Sequence, residues 1–256
     1  MKPIKPVAIQ TGELYSSIWD TFDQKEWERF SDDHIFKWSS LPLEEGFFNR
    51  KVCLDAGCGS GRFTRNLLLH GVQKVCAIDV GEGCLRNTQK RNATFAEKLE
   101  VKSASVLEIP YEDATFDFVH CDGVLHHTTD PEKGFTELVR VLKPGGTMVV
   151  GVYGKGGLMN FAIYTARLFR FIIPQRLTLS VLKKIIADPV IWYAVIDPMY
   201  VPIRKNYHEA EIRNWFESAY LINIKRLDSN WGPYTKGKWM KGEGYIKFIA
   251  EKKVSI

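Results

Sequence analysis

The apolar positions of this chain change rhythm twice. Within residues 13–40, Tyr15, Trp19 and Phe22 fall at i, i+4 and i+7, so the spacing predicts helix with one aromatic face. Trp27, Phe30, Phe36 and Trp38 continue that character, while prolines at 3 and 6 read residues 1–12 as an extended arm. From Lys51 short apolar runs alternate with amphipathic ones. Strands are expected at about 51–55, 74–78, 99–102, 116–121 and 147–152, and helices at about 61–70, 82–98 and 131–142. Gly71 stops the first of these helices, Pro131 suits the first turn of the third, and 143–146 (Lys-Pro-Gly-Gly) reads as a turn. After Tyr153 the alternation lapses. Residues 154–157 form a glycine-rich hinge, and 158–203 are apolar and basic. The rhythm returns with a helix at 208–219 and strands at 221–227 and 244–250, joined by a loop rich in glycine, lysine and tryptophan. Such alternation implies an α/β fold, a parallel sheet with helices on both faces and ligands at the strand C-termini.

The stretch from Lys51 to Thr64 organises the rest. An apolar strand breaks into Gly57, Gly59 and Gly61 and resumes as a helix at Arg62. Glycines let a ligand approach the backbone, and a helix N-terminus offers free N–H groups, so this is a device for holding a nucleoside cofactor. In the dinucleotide fingerprint a third glycine would stand where Arg62 is. With Asp55 two positions ahead of the first glycine, the run resembles motif I of the class I S-adenosylmethionine (SAM) methyltransferases. Asp79 ends the next strand, 18 positions beyond Gly61, where its carboxylate can accept from both ribose hydroxyls; a turn or helix-cap aspartate is the alternative, since Gly81 follows.

Two further segments extend the resemblance. Residues 105–117 are similar to the methyltransferase pattern D-A-x-x-L-P-F-x-D-x-x-F-D, with Ser105 in place of the acidic residue that contacts adenine, so an uncharged acceptor replaces a charged one. Residues 118–131 and 137–146 resemble the ubiquinone/menaquinone and natural-product or sugar methyltransferases. The resemblance is close over about 50–153 and general elsewhere. It implies a Rossmann-like, seven-stranded, mostly parallel sheet, with SAM as cofactor and S-adenosylhomocysteine as product. The cofactor-binding residues it implies are Asp55, Gly57, Cys58, Gly59, Gly61, Asp79, Val80, Ser105, Val106 and Cys121. An N-terminal helical cover (1–45) and a helical lid insert after the fifth strand (156–205), within a methyltransferase domain of 46–256, complete the expected organisation.

Candidate bases are His126 and His127 after the fourth strand, and Tyr207 and His208 before the returning helix. Histidine titrates near neutrality and can take a proton from an acceptor hydroxyl. The alternatives are loop orientation for the His pair and helix capping for Tyr207 and His208. The place after the fourth strand reads Cys121-Asp122-Gly123-Val124 and lacks the Asn/Asp-Pro-Pro-aromatic loop of adenine- and amide-type N-methyltransferases, so no nucleic acid acceptor is expected.

A net charge of +5 is too small to argue for nucleic acid on its own. The five cysteines show no metal spacing, and no apolar run reaches the length of a bilayer span, so a cytoplasmic protein without metal is expected. Between Lys155 and Lys205 eight basic residues face two acidic ones. That segment reads as a lid over the acceptor, as a basic amphipathic surface in peripheral contact with a membrane (158–203), or as an oligomer contact. On the lid reading, Arg167 and Arg170 suit a phosphate or carboxylate on the acceptor. The expected acceptor is a small molecule, a glycan-type compound or a lipid-linked intermediate. A catalytically silent SAM-binding scaffold and a nicotinamide-dependent oxidoreductase are the other classes weighed.

Overall fold

A computed structural model describes residues 6–33, 41–227 and 242–254. The aromatic positions Phe36 and Trp38, the start of the expected N-terminal arm and the glycine- and tryptophan-rich loop lie outside the described residues.

Seven strands form one sheet: β1 (Val52–Ala56), β2 (Lys74–Asp79), β3 (Leu99–Ser103), β4 (Phe116–Asp122), β5 (Leu142–Tyr153), β6 (Leu221–Arg226) and β7 (Tyr245–Lys252). Their order is β3-β2-β1-β4-β5-β7-β6, and only the pairs made by β7 are antiparallel. Alternate strand residues feed opposite faces. Leu54, Ile78, Val119 and Val150 meet Leu138 of α5 (Pro131–Val141) and Phe216 of α9 (Glu209–Ser218) on one side. Cys53, Val75, Phe118 and Val149 meet Leu67 and Leu68 of α3 (Arg62–Leu69) on the other.

A third core joins the N-terminal helices to the insert after β5. Helices α1 (Val7–Trp19) and α2 (Gln24–Asp33) pack against α7 (Gln175–Ile185) and α8 (Pro189–Tyr200) through Trp19, Phe22, Trp27, Phe30, Trp192, Tyr193 and Ile196. Helix α6 (Gly157–Leu168) completes the insert after β5. Among the described residues no helix is long and apolar enough to cross a membrane.

Three local expectations are corrected. Helix α1 begins at Val7, so residues 7–12 are helical and not part of an extended arm; Pro6 precedes the helix with φ −52°, compatible with leading into a first turn. The helix expected to reach Lys98 ends at Arg91, and Ala93–Lys98 is a 3-10 turn. Asn92, at that junction, donates its side-chain N–H to Gly61 O (3.2 Å) and Thr88 O (3.0 Å). This first stretch, α4 (Glu82–Arg91), packs below the glycine loop. Residues 143–146 do not separate α5 from a strand. They form an excursion within β5, whose pairing with β4 jumps from Phe116–Leu142 to Phe118–Thr147, and Gly145 takes φ +76° there.

Candidate active site

The glycine loop is bent back over the strand ends by its own amides. The N–H groups of Gly57 and Cys58 both donate to the Ile78 carbonyl of β2, at 2.8 and 3.0 Å. Gly57 sits at φ +81°, and a Cβ there would lie 2.3 Å from Val124 Cγ2, so only glycine lets the loop pass Val124. Asp79 closes the loop from β2: its Oδ2 accepts from Gly59 N–H (3.0 Å) and its Oδ1 from Gly81 N–H (2.8 Å). Burial raises the Asp79 carboxyl above its ordinary value, against the lowering effect of those amides. Each oxygen keeps a lone pair for a further donor.

A cavity of about 980 Å³ of atom-free space, open solvent included, lies over these strand ends. Its floor is Gly57, Cys58, Gly59 and Asp79; Ser105, Val106 and Gly123 flank it; Thr11, Tyr15 and Trp19 of α1 and Tyr193 of α8 wall it. Helix α1 reaches this position by backbone contact with the start of α4: a Cβ on Gly12 would lie 2.7 Å from Gly81 Cα. Trp19 stacks on Tyr193 with ring centroids 5.0 Å apart. The Arg62 guanidinium lies over the rings of Phe30 (4.0 Å) and Trp19 (5.0 Å) on the cavity wall, and burial lowers its pKa.

A buried carboxylate behind the wall ties the elements together. Asp197 of α8 accepts from the hydroxyls of Tyr15 (2.6 Å) and Tyr153, and its Oδ1 stands 3.5 Å from His127 Nε2. His127 Nδ1 lies 2.8 Å from the Ile203 carbonyl, which only accepts, so Nδ1 carries a proton. The Nε2 of His127, on a ring that lines the cavity, then has no hydrogen-bond partner among the described residues. A second buried polar pair stands where Asp122 lines the cavity: Asp122 Oδ2 meets Lys247 Nζ at 2.6 Å, and Tyr245 donates to Oδ1. Burial raises the Asp122 carboxyl, but Lys247 and His120 outweigh it and hold the value below the ordinary range.

The structure brings seven of the expected cofactor residues to the cavity: Gly57, Cys58, Gly59, Asp79, Val80, Ser105 and Val106. It places three elsewhere. Asp55 is buried beneath the loop, accepting from Thr64 Oγ1 (2.7 Å) and contacting His120 Nδ1 (3.2 Å). Gly61 is the N-cap of α3, packed so closely on Thr88 that a Cβ would meet its Cα at 2.9 Å. Cys121 is fully buried, its thiol pushed up by burial and turned into the core beneath the sheet.

Of the candidate bases, His127 alone lines the cavity. His126 is fully buried between His127 and Tyr153, and burial drives it well below its ordinary value. Tyr207 packs on Trp215 with ring centroids 5.0 Å apart, and burial lifts its hydroxyl to about 12. His208 is the N-cap of α9; its N–H donates to Glu211 (2.6 Å) and its Nδ1 contacts Glu243 (2.9 Å). Arg167 and Arg170 do not face an acceptor. They donate to the carbonyls that end α8 and follow it, Arg167 to Pro198 O (2.7 Å) and Val201 O (2.9 Å), Arg170 to Val201 O (3.2 Å). Sequence reasoning missed Asp197, Tyr193 and Arg62 as site residues. No local motif marks the first two; Arg62 had a signal, a cation opening the glycine-loop helix, but stood in the sequence only as the place of the absent third glycine.

The residues present fit a SAM molecule. The loop needs glycine at position 57, the Asp79 oxygens retain lone pairs, and Trp19 Nε1 is a buried donor on the cavity wall without a partner among the described residues.

Residues 54–150 match a family described as a methyltransferase domain. The demethylmenaquinone methyltransferase of Staphylococcus aureus is 31% identical over 174 residues, covering 67% of this chain and 68% of that protein. The chain belongs to the class I SAM-dependent methyltransferases. The family is one of SAM-using enzymes, which favours that class over the scaffold and oxidoreductase readings. The tRNA U34 carboxymethyltransferase of Nautilia profundicola is 24% identical to this methyltransferase over 91% of its chain and 67% of that protein. Other curated relatives are matched over a smaller part of their length, as with 27% of an uncharacterised Synechococcus protein at 36% identity. A Burkholderia thailandensis didemethyltoxoflavin N1-methyltransferase with bound S-adenosylhomocysteine shares the fold of this methyltransferase at a TM-score of 0.57 and 16% identity, over 99% of this chain and 93% of that one.

Proposed function

We propose that this methyltransferase transfers a methyl group by direct displacement to a small-molecule, glycan-type or lipid-linked acceptor, under a cover made by α1 and the α6–α8 insert. The observation that carries the reading is the Asp79 carboxylate, fixed by the Gly59 and Gly81 amides on the floor of a cavity walled by aromatic rings. Asp79 accepts from the ribose hydroxyls, Ser105 and Val106 flank the adenine, and Arg62 with Trp19 Nε1 holds the carboxylate end. SAM, when bound, supplies an electrophilic methyl on a sulfonium leaving group.

What the chain contributes is alignment and dryness. Tyr15, Trp19 and Tyr193 exclude water, and the loop fixes the floor. His127 packs in the wall, its Nδ1 held by the Ile203 carbonyl and its Nε2 3.5 Å from Asp197. A second reading, an RNA acceptor, is favoured by the extent of similarity to the Nautilia tRNA enzyme.

Calorimetry with S-adenosylhomocysteine on wild type and Asp79→Ala tests the cofactor site; undiminished binding by the variant would remove the ribose assignment. Incubation with methyl-labelled SAM and either lipid and small-molecule extracts or bulk tRNA separates the acceptors, and label in tRNA alone would replace the first reading.

A further inference from the structure

The outer surface of the α6–α7 hairpin is the most apolar exposed region of the described chain. On α6, Leu158, Phe161 and Leu168 share one face and stay exposed, Phe161 by 66% and Leu168 by 72%. On α7, Leu177, Val181 and Ile185 repeat at i, i+4 and i+8 and are also exposed. The connection between the helices carries Phe171 at 82% and Ile172 at 75%. The opposite face of α7 is satisfied, because Leu179, Leu182 and Ile186 join the aromatic core. Both helices pack on α8 and each leaves an apolar row exposed, more than isolated surface hydrophobes account for.

Charge identifies what covers the bare face. Between residues 156 and 187 there is no acidic residue, and of the five basic ones Arg167 and Arg170 are held by the carbonyls at the end of α8 while Arg176, Lys183 and Lys184 are exposed. Apolar side chains flanked by cations match the boundary of an anionic bilayer, where the rings enter the acyl region and the cations meet phosphates. A second copy fits less well, since a two-fold contact brings the exposed Arg176, Lys183 and Lys184 of both copies together.

We propose that the α6–α7 hairpin is a membrane-docking element that seats this enzyme on an anionic lipid surface. Helix α8, packed behind the hairpin, contributes Tyr193 to the cavity, so docking places the site beside the bilayer. Docking itself is independent of turnover. That it delivers a bilayer-borne acceptor rests on the methyltransferase reading above.

The test is co-sedimentation of the full chain with phosphatidylcholine vesicles and with vesicles that also contain phosphatidylglycerol. Wild type should pellet with the anionic vesicles and far less with the neutral ones. Phe171→Glu with Ile172→Glu should weaken that partition at least tenfold while thermal unfolding and S-adenosylhomocysteine affinity stay at wild-type values. Arg176→Glu with Lys184→Glu should weaken binding to anionic vesicles about fivefold for each charge removed. Failure of wild type to pellet, or equal binding by the Phe171/Ile172 variant, overturns the proposal. So does a wild-type dimer in sedimentation velocity that this variant dissociates, because the face then belongs to a second copy. Loss of S-adenosylhomocysteine binding by wild type would instead strike the cofactor reading and leave docking standing.

Discussion

Asp197→Ala probes the joint between the N-terminal helices and the insert after β5. The carboxylate is 1% exposed and accepts from the hydroxyls of Tyr15 and Tyr153, so its removal deletes two charged hydrogen bonds. A hydrogen bond to a charged partner is worth about 1.5–3 kcal/mol, giving a gross loss of about 3–6 kcal/mol. Relief of the carboxylate's own desolvation returns part of this, leaving a net loss of about 3 kcal/mol. In a chain of this size that lowers the melting temperature by about 6–12 °C. Tyr15→Phe deletes one bond and orphans nothing in α1, so it should cost about 1–2 kcal/mol. The readout is urea unfolding followed by tryptophan fluorescence, which Trp19, Trp27 and Trp192 of the joint report directly. Because Tyr15 and Trp19 wall the cavity, both variants should also bind S-adenosylhomocysteine more weakly, by calorimetry. An Asp197→Ala protein that unfolds at the wild-type urea midpoint and binds the ligand as tightly would refute the reasoning.

Gly57→Ala should abolish measurable S-adenosylhomocysteine binding, since its Cβ meets Val124 at 2.3 Å at a left-handed backbone position; calorimetry decides. Gly12→Ala should lift α1 from α4 and cost about 1–3 kcal/mol in chemical unfolding, because the added carbon faces the Gly81 backbone. Burial lowers the pKa of His126 and of His127 in the folded state, so the unfolded chain binds more protons as pH falls below about 6.5. Stability is therefore undiminished by these groups above that pH and falls by up to ~1.4 kcal/mol per unit for each site below it. His126→Phe should flatten the acid slope in urea titrations at a series of pH values; an unchanged slope would refute the assignment.

The sheet was legible because each strand is a short apolar run bounded by glycine, proline or a charged end, and these local signals agree with the tertiary arrangement. Gly57, Gly59 and Asp79 were legible for the same reason: their geometry is set within one strand–loop–helix unit and its neighbour. Asp197 was not. Its meaning comes from Tyr15, His127 and Tyr153, which only the fold brings together, and in the sequence it is one of two acids in a basic stretch. Arg167 and Arg170 misled for the opposite reason, since cations in an apolar segment suggest an anionic ligand, yet here their partners are carbonyls at and beyond the end of α8. Asp55 and Gly61 accompany the cofactor loop in sequence but support it from below.

The joint through Tyr15 and Asp197 spans 182 positions. On the ribosome the chain grows at about 5–20 residues per second, so α1 emerges roughly 9–36 s before its α8 partner exists. Throughout that interval Trp19, Phe22, Trp27 and Phe30 lack the apolar surface that later covers them, which makes the nascent N-terminal segment a natural client for a chaperone that holds aromatic stretches. The cofactor chamber is therefore closed only after most of the sheet has been synthesised, and translation arrested between β5 and α8 should yield a chain with a formed sheet half and no competent roof.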